Sequence, residues 1–598
     1  MKTKLLFLVF AGLLSLTPSC IDDVLDKKLL DIISEDAVWN DEGLVDAYLA
    51  HKYARMIIFQ FDLANMESSS FDYWAQYFGF MVSSIVSDES GNPLWWGGPH
   101  PGGYKTGGLT VSGGLLEWWE HAYTVIRDLN MMIENLPEST CDPAFIAGRV
   151  AEARFLRAFN YFAMVKRYGG VPLITKTLQL DSPEEELYPK RNSEKEIYDF
   201  VIAELDAIEE NLKGVTEYGR ATQGAALALK CRAALYAGSI ARYGTVQLGG
   251  LLGIPQDQAA GYFQQSLDAA YKIRDLGYQL YNQDADRVEN FRNAFLKERN
   301  SEMIFVKQYD ENLNHWKYDF TLCPKPHGYD AGMSIAVYLE MVEEFEYTDG
   351  RPGTLDRAAL QTGLWSMEEL WGDKDPRFFA SVWTNGTLWK GGNLDMHQGI
   401  IGSDGVLYSN QQDSYGGIPA RGPQSNNNGA TFGTGFGILK MLNEASDANL
   451  HERSGTDCPV FRYGEVLLNL AESAFELGRT DEALDALNQI RDRAGIARKT
   501  SLDMEAIRHE RKVELFFENH RYWDVRRWRI AVDKLSKPGS GLIYRLDFDT
   551  RKYKLEVIED YDGAALTPPR FYEYNYYLPV TLSRTAQNPN LAENPGYQ

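Results

Sequence analysis

The stretch VLLNLAESAFELGRTDEALDALNQIRDRAG, residues 466–495, constrains the fold more than any other part of the chain. Leu467, Leu470, Ala471, Ala474 and Leu477 recur every three or four residues, so they share one face of a helix. Gly478 ends that helix, and from Asp481 a second stripe runs through Ala483, Leu484, Leu487 and Ile490. Three further helix pairs read the same way, each with a loop or insertion between its members: residues 42–57 with 115–136, 150–169 with 193–212, and 222–244 with 264–277. A pair of this kind cannot bury its apolar faces alone, so the four pairs predict eight stacked helices with a continuous core.

The 466–495 pair has the length and small-residue placement of a tetratricopeptide repeat, whose period is about 34 residues. Asn469, Leu470, Ala471, Gly478, Ala483 and Leu487 fall on that pattern, whereas Ala474, Ile490 and Gly495 replace its usual Tyr, Ala and Pro. The rest of the chain is different in kind. Residues 91–114, GNPLWWGGPHPGGYKTGGLTVSGG, are too rich in Gly and Pro for a helix, and residues 385–437 are rich in Gly, Asn, Gln and Ser. SEMIFVKQYD, residues 301–310, reads as a short strand. Loops this long in a compact domain are usually functional or disordered. No Pro-rich or Ser-rich linker divides the chain, so residues 43–598 are expected to form one mostly α domain with a few short strands. Its repeat scaffold lies mainly in 43–276 and 460–530, and its insertions at about 60–115 and 277–459.

The N-terminus, MKTKLLFLVFAGLLSLTPSC, places two lysines before an apolar run and then small residues ending at Cys20. That run is too short for a permanent span and reads as a secretory signal over residues 1–19. Processing would leave Cys20 as a lipid-carrying N-terminus, as in bacterial lipoproteins, although Thr17 stands where such signals usually have Leu. Residues 20–42 would then tether the domain to a membrane. Without the signal the chain holds 58 basic and 84 acidic residues, a formal charge of −26. Nucleic acid is excluded as a partner, because phosphate binding needs a basic footprint. GAALALKCRAALYAG, broken by Lys230 and Arg232, is no membrane span. Cys141, Cys231, Cys323 and Cys458 lie far apart with no CxxC, so they are expected to be core thiols rather than zinc ligands or a disulfide framework.

IRHERKVELFFENHRYWDVRRW, residues 507–528, poses the sharpest functional question. Read as one helix, it places Glu510, Glu514 and Glu518 about one turn apart, roughly 6 Å. Glycosidase carboxyls must flank the scissile bond from opposite sides, whereas neighbouring turns of one helix point the same way. Interleaved Arg508, Arg511, Arg521, Arg526 and Arg527 would also hold these carboxylates ionised, and a general acid needs a raised pKa. The segment is expected to be a structural ion-pair lattice.

The same residues, with CPVFRYGEVLLNLAESAFELG before them and YYLPVTLSRTAQNPNLAENPGYQ at the C-terminus, resemble the SusD/RagB family of surface nutrient-binding lipoproteins. EARFLRAFNYFAMVKRYGGVPLI resembles that family's first repeat region, and the acidic residues after Cys20 resemble its export signal. The resemblance implies a SusD-like fold on four tetratricopeptide-like helix pairs and a protein without catalysis. It further implies lipid anchoring at the outer face of the cell outer membrane and a role as lid on a SusC-like TonB-dependent transporter. Oligosaccharides would be captured for import, or peptides in the RagB branch. A glycoside hydrolase is the alternative from a different class.

Sugars stack their C–H faces on aromatic rings and present hydroxyls at the rim, so aromatics stranded in polar loops are the informative ones. Three clusters qualify: Tyr73 and Trp74, Trp95 and Trp96, and Trp316 with Tyr318. Trp389 is a weaker fourth. The resemblance implies a site built from a loop within the first helix pair and one after the mid-chain strand. Trp95, Trp96 and Trp316 are therefore the expected platforms, with Asp88, Asn92 and Asn314 as hydrogen-bonding partners. Trp118 and Trp119, beside Leu115 and Leu116, read as packing residues on a helix. No HExxH, P-loop, GxSxG or EF-hand pattern occurs, and GTGFG at 433–437 is treated as loop. No cofactor is expected, and the acidic stretch YNQDADRVEN, residues 281–290, is the one candidate for a structural calcium ion.

Overall fold

The computed structural model describes residues 38–59, 80, 82–91, 105, 107, 109–114, 116–324, 335–425, 433–445, 452–561 and 569–597. All eight predicted helices are present: α1 (Glu42–Arg55), α2 (Glu120–Asn135), α3 (Pro143–Tyr168), α4 (Glu194–Ile208), α5 (Gln223–Tyr243), α6 (Ala259–Asp275), then, beyond α7 (Arg287–Leu296), α8 (Tyr463–Glu476) and α9 (Thr480–Ala494). Local signals set their ends. Asp142 caps α3 ahead of Pro143, Ser193 and Glu196 form a capping box on α4, and Gly495 closes α9 in the left-handed conformation at φ 77°. Gly478, at φ 76°, makes the turn between α8 and α9. The second helix of each pair packs on the first helix of the next, α2 on α3, α4 on α5 and α6 on α8, so the pairs stack in chain order. Trp118 and Trp119 are buried packing residues, as expected, but α2 begins only at Glu120.

The insertions and the segment beyond residue 540 supply the strands. β1 (Met303–Lys307), β2 (Val382–Thr384), β3 (Ile400–Ile401), β4 (Leu407–Tyr408), β5 (Phe436–Ile438), β6 (Cys458–Arg462), β7 (Gly541–Asp547) and β8 (Tyr553–Ile558) pair as β1 with β6, β2 with β5, and a four-stranded sheet in the order β8-β7-β3-β4. Phe436 and Gly437, expected in a loop, lie in β5. Trp389 is 2% exposed and belongs to the core. Three of the four described cysteines are buried, whereas Cys141 is only half-buried. Asp286 caps α7 and Asp284 accepts from Asn293, so two of the three carboxylates of the calcium candidate serve this helix; among the described residues no cluster of His, Cys, Asp and Glu is arranged to hold a metal ion. Among the described residues no helix is long and apolar enough to cross a membrane.

Residues 507–528 are not one helix. α10 (Met504–Glu514) stops, a turn follows with Phe517 at φ 62° and Asn519 at φ 63°, and α11 (Arg521–Arg527) begins. The physical reason lies at the carbonyls that any helix leaves unpaired at its C-terminus. Lys440 Nζ donates to the Glu514 and Phe516 carbonyls, and Arg462 Nη2 donates to the Glu514 carbonyl. Cations from two other segments thus satisfy the helix end in place of a further turn.

Candidate ligand-binding cleft

Where α1 meets the end of β1 the surface opens into a cleft of about 550 Å³. Ala50, Tyr53 and Ala54 of α1, Phe59 just beyond it, residues 217–220, residues 305–308 and Asn314 form its walls. Tyr53 is fixed from both sides of its hydroxyl, which donates to Glu152 Oε2 at 2.7 Å and accepts from the Ala221 amide at 2.8 Å. Arg220 is neutralised by Glu152 at 2.8 Å and Asp46 at 3.2 Å. Gly219 has φ +82°, and a Cβ there would stand 2.5 Å from Gln308 Oε1, so only glycine lets the loop carry that amide so closely.

Asn314 is presented by a tight turn. Asp310 Oδ1 accepts from the amides of Asn312 at 2.8 Å and Leu313 at 2.7 Å, and the Asp310 amide donates to the Asn314 carbonyl at 2.6 Å. Asn314 Nδ2 then donates to the Gln308 carbonyl at 2.7 Å. Lys307 ends a strand whose other four residues are buried; its ammonium lies 5.8 Å from the Tyr309 ring centroid, and burial pushes its pKa down to about 8. Arg299 stacks on Tyr218 with its guanidinium 4.9 Å from the ring centroid. The wall thus combines aromatic faces, amides and one ammonium, and Glu217 is the one carboxylate among its described lining residues.

Of the predicted site residues, Asn314 lines this cleft and the others that are described do not. Trp316 is a correction: it is 4% exposed, its indole N–H donates to the Thr456 carbonyl at 2.9 Å, and its ring stacks between Tyr309 and Tyr318 at 5.1 and 4.5 Å. Tyr318, 1% exposed, donates its hydroxyl to the Lys440 carbonyl at 2.6 Å and is likewise core. Asp88 belongs to the frame, because Arg521 at 2.7 Å and Lys512 at 3.1 Å hold it. Burial alone would raise its pKa, yet these two cations keep it well below the usual carboxylate range. Tyr73, Trp74, Trp95, Trp96, Asn92 and Cys20 lie outside the described residues. Tyr53, Tyr218, Lys307 and Gln308 were missed; the signal available was Lys307, a charge closing the otherwise apolar run MIFV.

A sequence profile described as "SusD family" matches residues 301–597, and a second, described as "Starch-binding associating with outer membrane", matches residues 110–235. The chain belongs to the SusD/RagB family. A SusD-like protein of Bacteroides ovatus is 24% identical, covering 100% of this chain and 98% of its own length. The starch-binding protein SusD of Bacteroides thetaiotaomicron is 25% identical over 75% of this chain and 72% of its own length. Among solved structures, a SusD-like protein from Bacteroides fragilis superposes with a TM-score of 0.70 at 25% identity, over 94% of this chain and 99% of its own.

In this SusD-family protein the 504–527 segment is a frame, as expected, but most of its counter-charges come from elsewhere in the chain. Glu514 is held by Arg493, by Arg462 at 2.8 Å and by Arg377 at 2.9 Å. Glu510 is held by Arg377 at 2.7 Å and Arg491 at 2.8 Å, and Glu518 by Lys440 at 2.5 Å and Arg462 at 2.6 Å. Burial works against ionisation of Glu514, and its three arginines override it, keeping the pKa well below the ordinary range. Such carboxylates cannot act as general acids near neutral pH. This charge cluster therefore serves cohesion.

Proposed function

We propose that the protein is a lipid-anchored glycan-binding component of the outer cell surface that captures oligosaccharides and delivers them, uncleaved, to a SusC-like TonB-dependent transporter. The cleft carries this reading: aromatic walls at Tyr53 and Tyr218 beside the amides of Gln308 and Asn314 suit a sugar ring and its hydroxyls, and among the described lining residues Glu217 has no opposed carboxylate with which to cleave a glycosidic bond. Relatives support it by name. One is a starch-binding protein, and structures sharing the fold include a carbohydrate-binding and a laminarin-binding SusD-like protein. The lipid would sit on Cys20.

Isothermal titration of a soluble form lacking residues 1–20 against a panel of oligosaccharides tests the proposal. Binding without new reducing ends over time is expected, with loss of affinity in Asn314→Ala and Tyr218→Ala. Reducing ends that accumulate would make the protein a hydrolase, and selective binding of peptides would place it with the RagB branch. Co-purification with a TonB-dependent transporter from the native membrane tests delivery.

A further inference from the structure

The cleft also constrains the charge of its ligand, an inference that rests on reading it as the glycan site. Other buried lysines in this molecule have their ammonium groups satisfied. Lys374 donates to the carbonyls of Val342, Phe345 and Gly353, and Lys440 donates to two carbonyls and to Glu518. Arg220, in the cleft itself, is met by Glu152 and Asp46.

Lys307 is treated differently. It is half-buried in the lining of the cleft, and its ammonium makes no ion pair and no hydrogen bond among the described residues. Its partner across the sheet is Cys458, a buried thiol that stays neutral because burial pushes its pKa up to about 12. Glu217, the carboxylate in the lining, is 3.7 Å from Arg149 and is also near Arg220. Arg299, an exposed residue outside the lining, lays a further cation on the Tyr218 ring. Removing an ammonium from water without a counter-charge is costly, so a site that does so gains whenever an anion arrives. Lys307 also sits beside Gln308 and Asn314, the two amides able to read sugar hydroxyls.

We propose that the sugar unit recognised in this cleft is anionic, bearing a carboxylate or a sulfate ester that pairs with Lys307 while its ring packs against Tyr53 or Tyr218. A uronic acid and a sulfated sugar share that chemistry, and matched ligands separate them.

The experiment titrates the soluble full-length domain with two pairs of probes: an oligogalacturonate and its methyl ester, and a sulfated galactan oligosaccharide and its desulfated twin. The charged member of one pair is expected to bind at least about tenfold more tightly than its neutral twin, and which pair responds identifies the anion. Lys307→Met should bring the two members to parity, with a melting temperature unchanged or raised because an unpaired ammonium has gone. Lys307→Arg should restore the preference. Tight binding of neutral glycans regardless of charge, or a preference that survives Lys307→Met, overturns the inference and leaves glycan capture standing. If neither these probes nor neutral oligosaccharides bind, glycan capture falls and the inference falls with it.

Discussion

The lattice around Glu514 and the cleft around Lys307 are built from the same kinds of side chain, and they differ in whether each charge is met. In the lattice Arg377, Arg462, Arg491 and Arg493 have side chains only 1–2% exposed, and each is bound to at least one carboxylate. In the cleft Arg220 is paired, but Lys307 has no ion pair among the described residues, and Gln308 and Asn314 are exposed. Residue type alone therefore does not separate frame from site. What separates them is whether the protein completes its own electrostatics or leaves that to a ligand.

Breaking the lattice should give the largest effect. Glu514→Gln leaves three arginines short of a buried counter-charge and is expected to lower stability by ~3–5 kcal/mol, read by urea denaturation. Trp316→Phe sharpens the contrast next. It keeps the stack but leaves the Thr456 carbonyl without its donor, so a loss of ~2 kcal/mol is expected, with ligand affinity unchanged in titration. Asn314→Ala should do the reverse, weakening ligand binding by ~1 kcal/mol while changing stability by less than ~0.5 kcal/mol. The smallest effect is expected at His397. Its ring donates to Asp395 at 2.6 Å and to the Pro419 carbonyl at 2.9 Å, which needs the imidazolium, and although burial opposes this its pKa is raised. A raised folded-state pKa means that the contribution is fully present below about pH 6.5 and is lost as pH rises through the folded value. Thermal melts of wild type should therefore show a shallow decline across that window, and those of His397→Gln a flatter one.

The helices were legible because their information is local. Stripes at three- and four-residue spacing and the Gly stop at 478 need no distant partner to be read. The break at residues 515–520 was not legible, because it is made by Lys440 and Arg462, which lie far from it in sequence. Trp316 misled for the same reason. NHWKYDF looks like a polar loop, but Tyr309 and Thr456 turn it into a buried stack. Asn314 was found because a turn really does present it, whereas Tyr218 and Gln308 meet only when the fold brings residues 217–220 against β1.

The ties that hold Glu510, Glu514 and Glu518 run to Arg377, Lys440 and Arg462, all of them earlier in the chain. During synthesis these cations emerge first; Arg377 can meet Asp375 and Arg462 can meet Glu302, but the Lys440 ammonium finds its hydrogen-bonding partners only when the last sixth of the polypeptide arrives. A product cut short before residue 504 would be left with an open interior whose cations lack part of their counter-charge, a ready mark for proteases. Only complete copies would then survive.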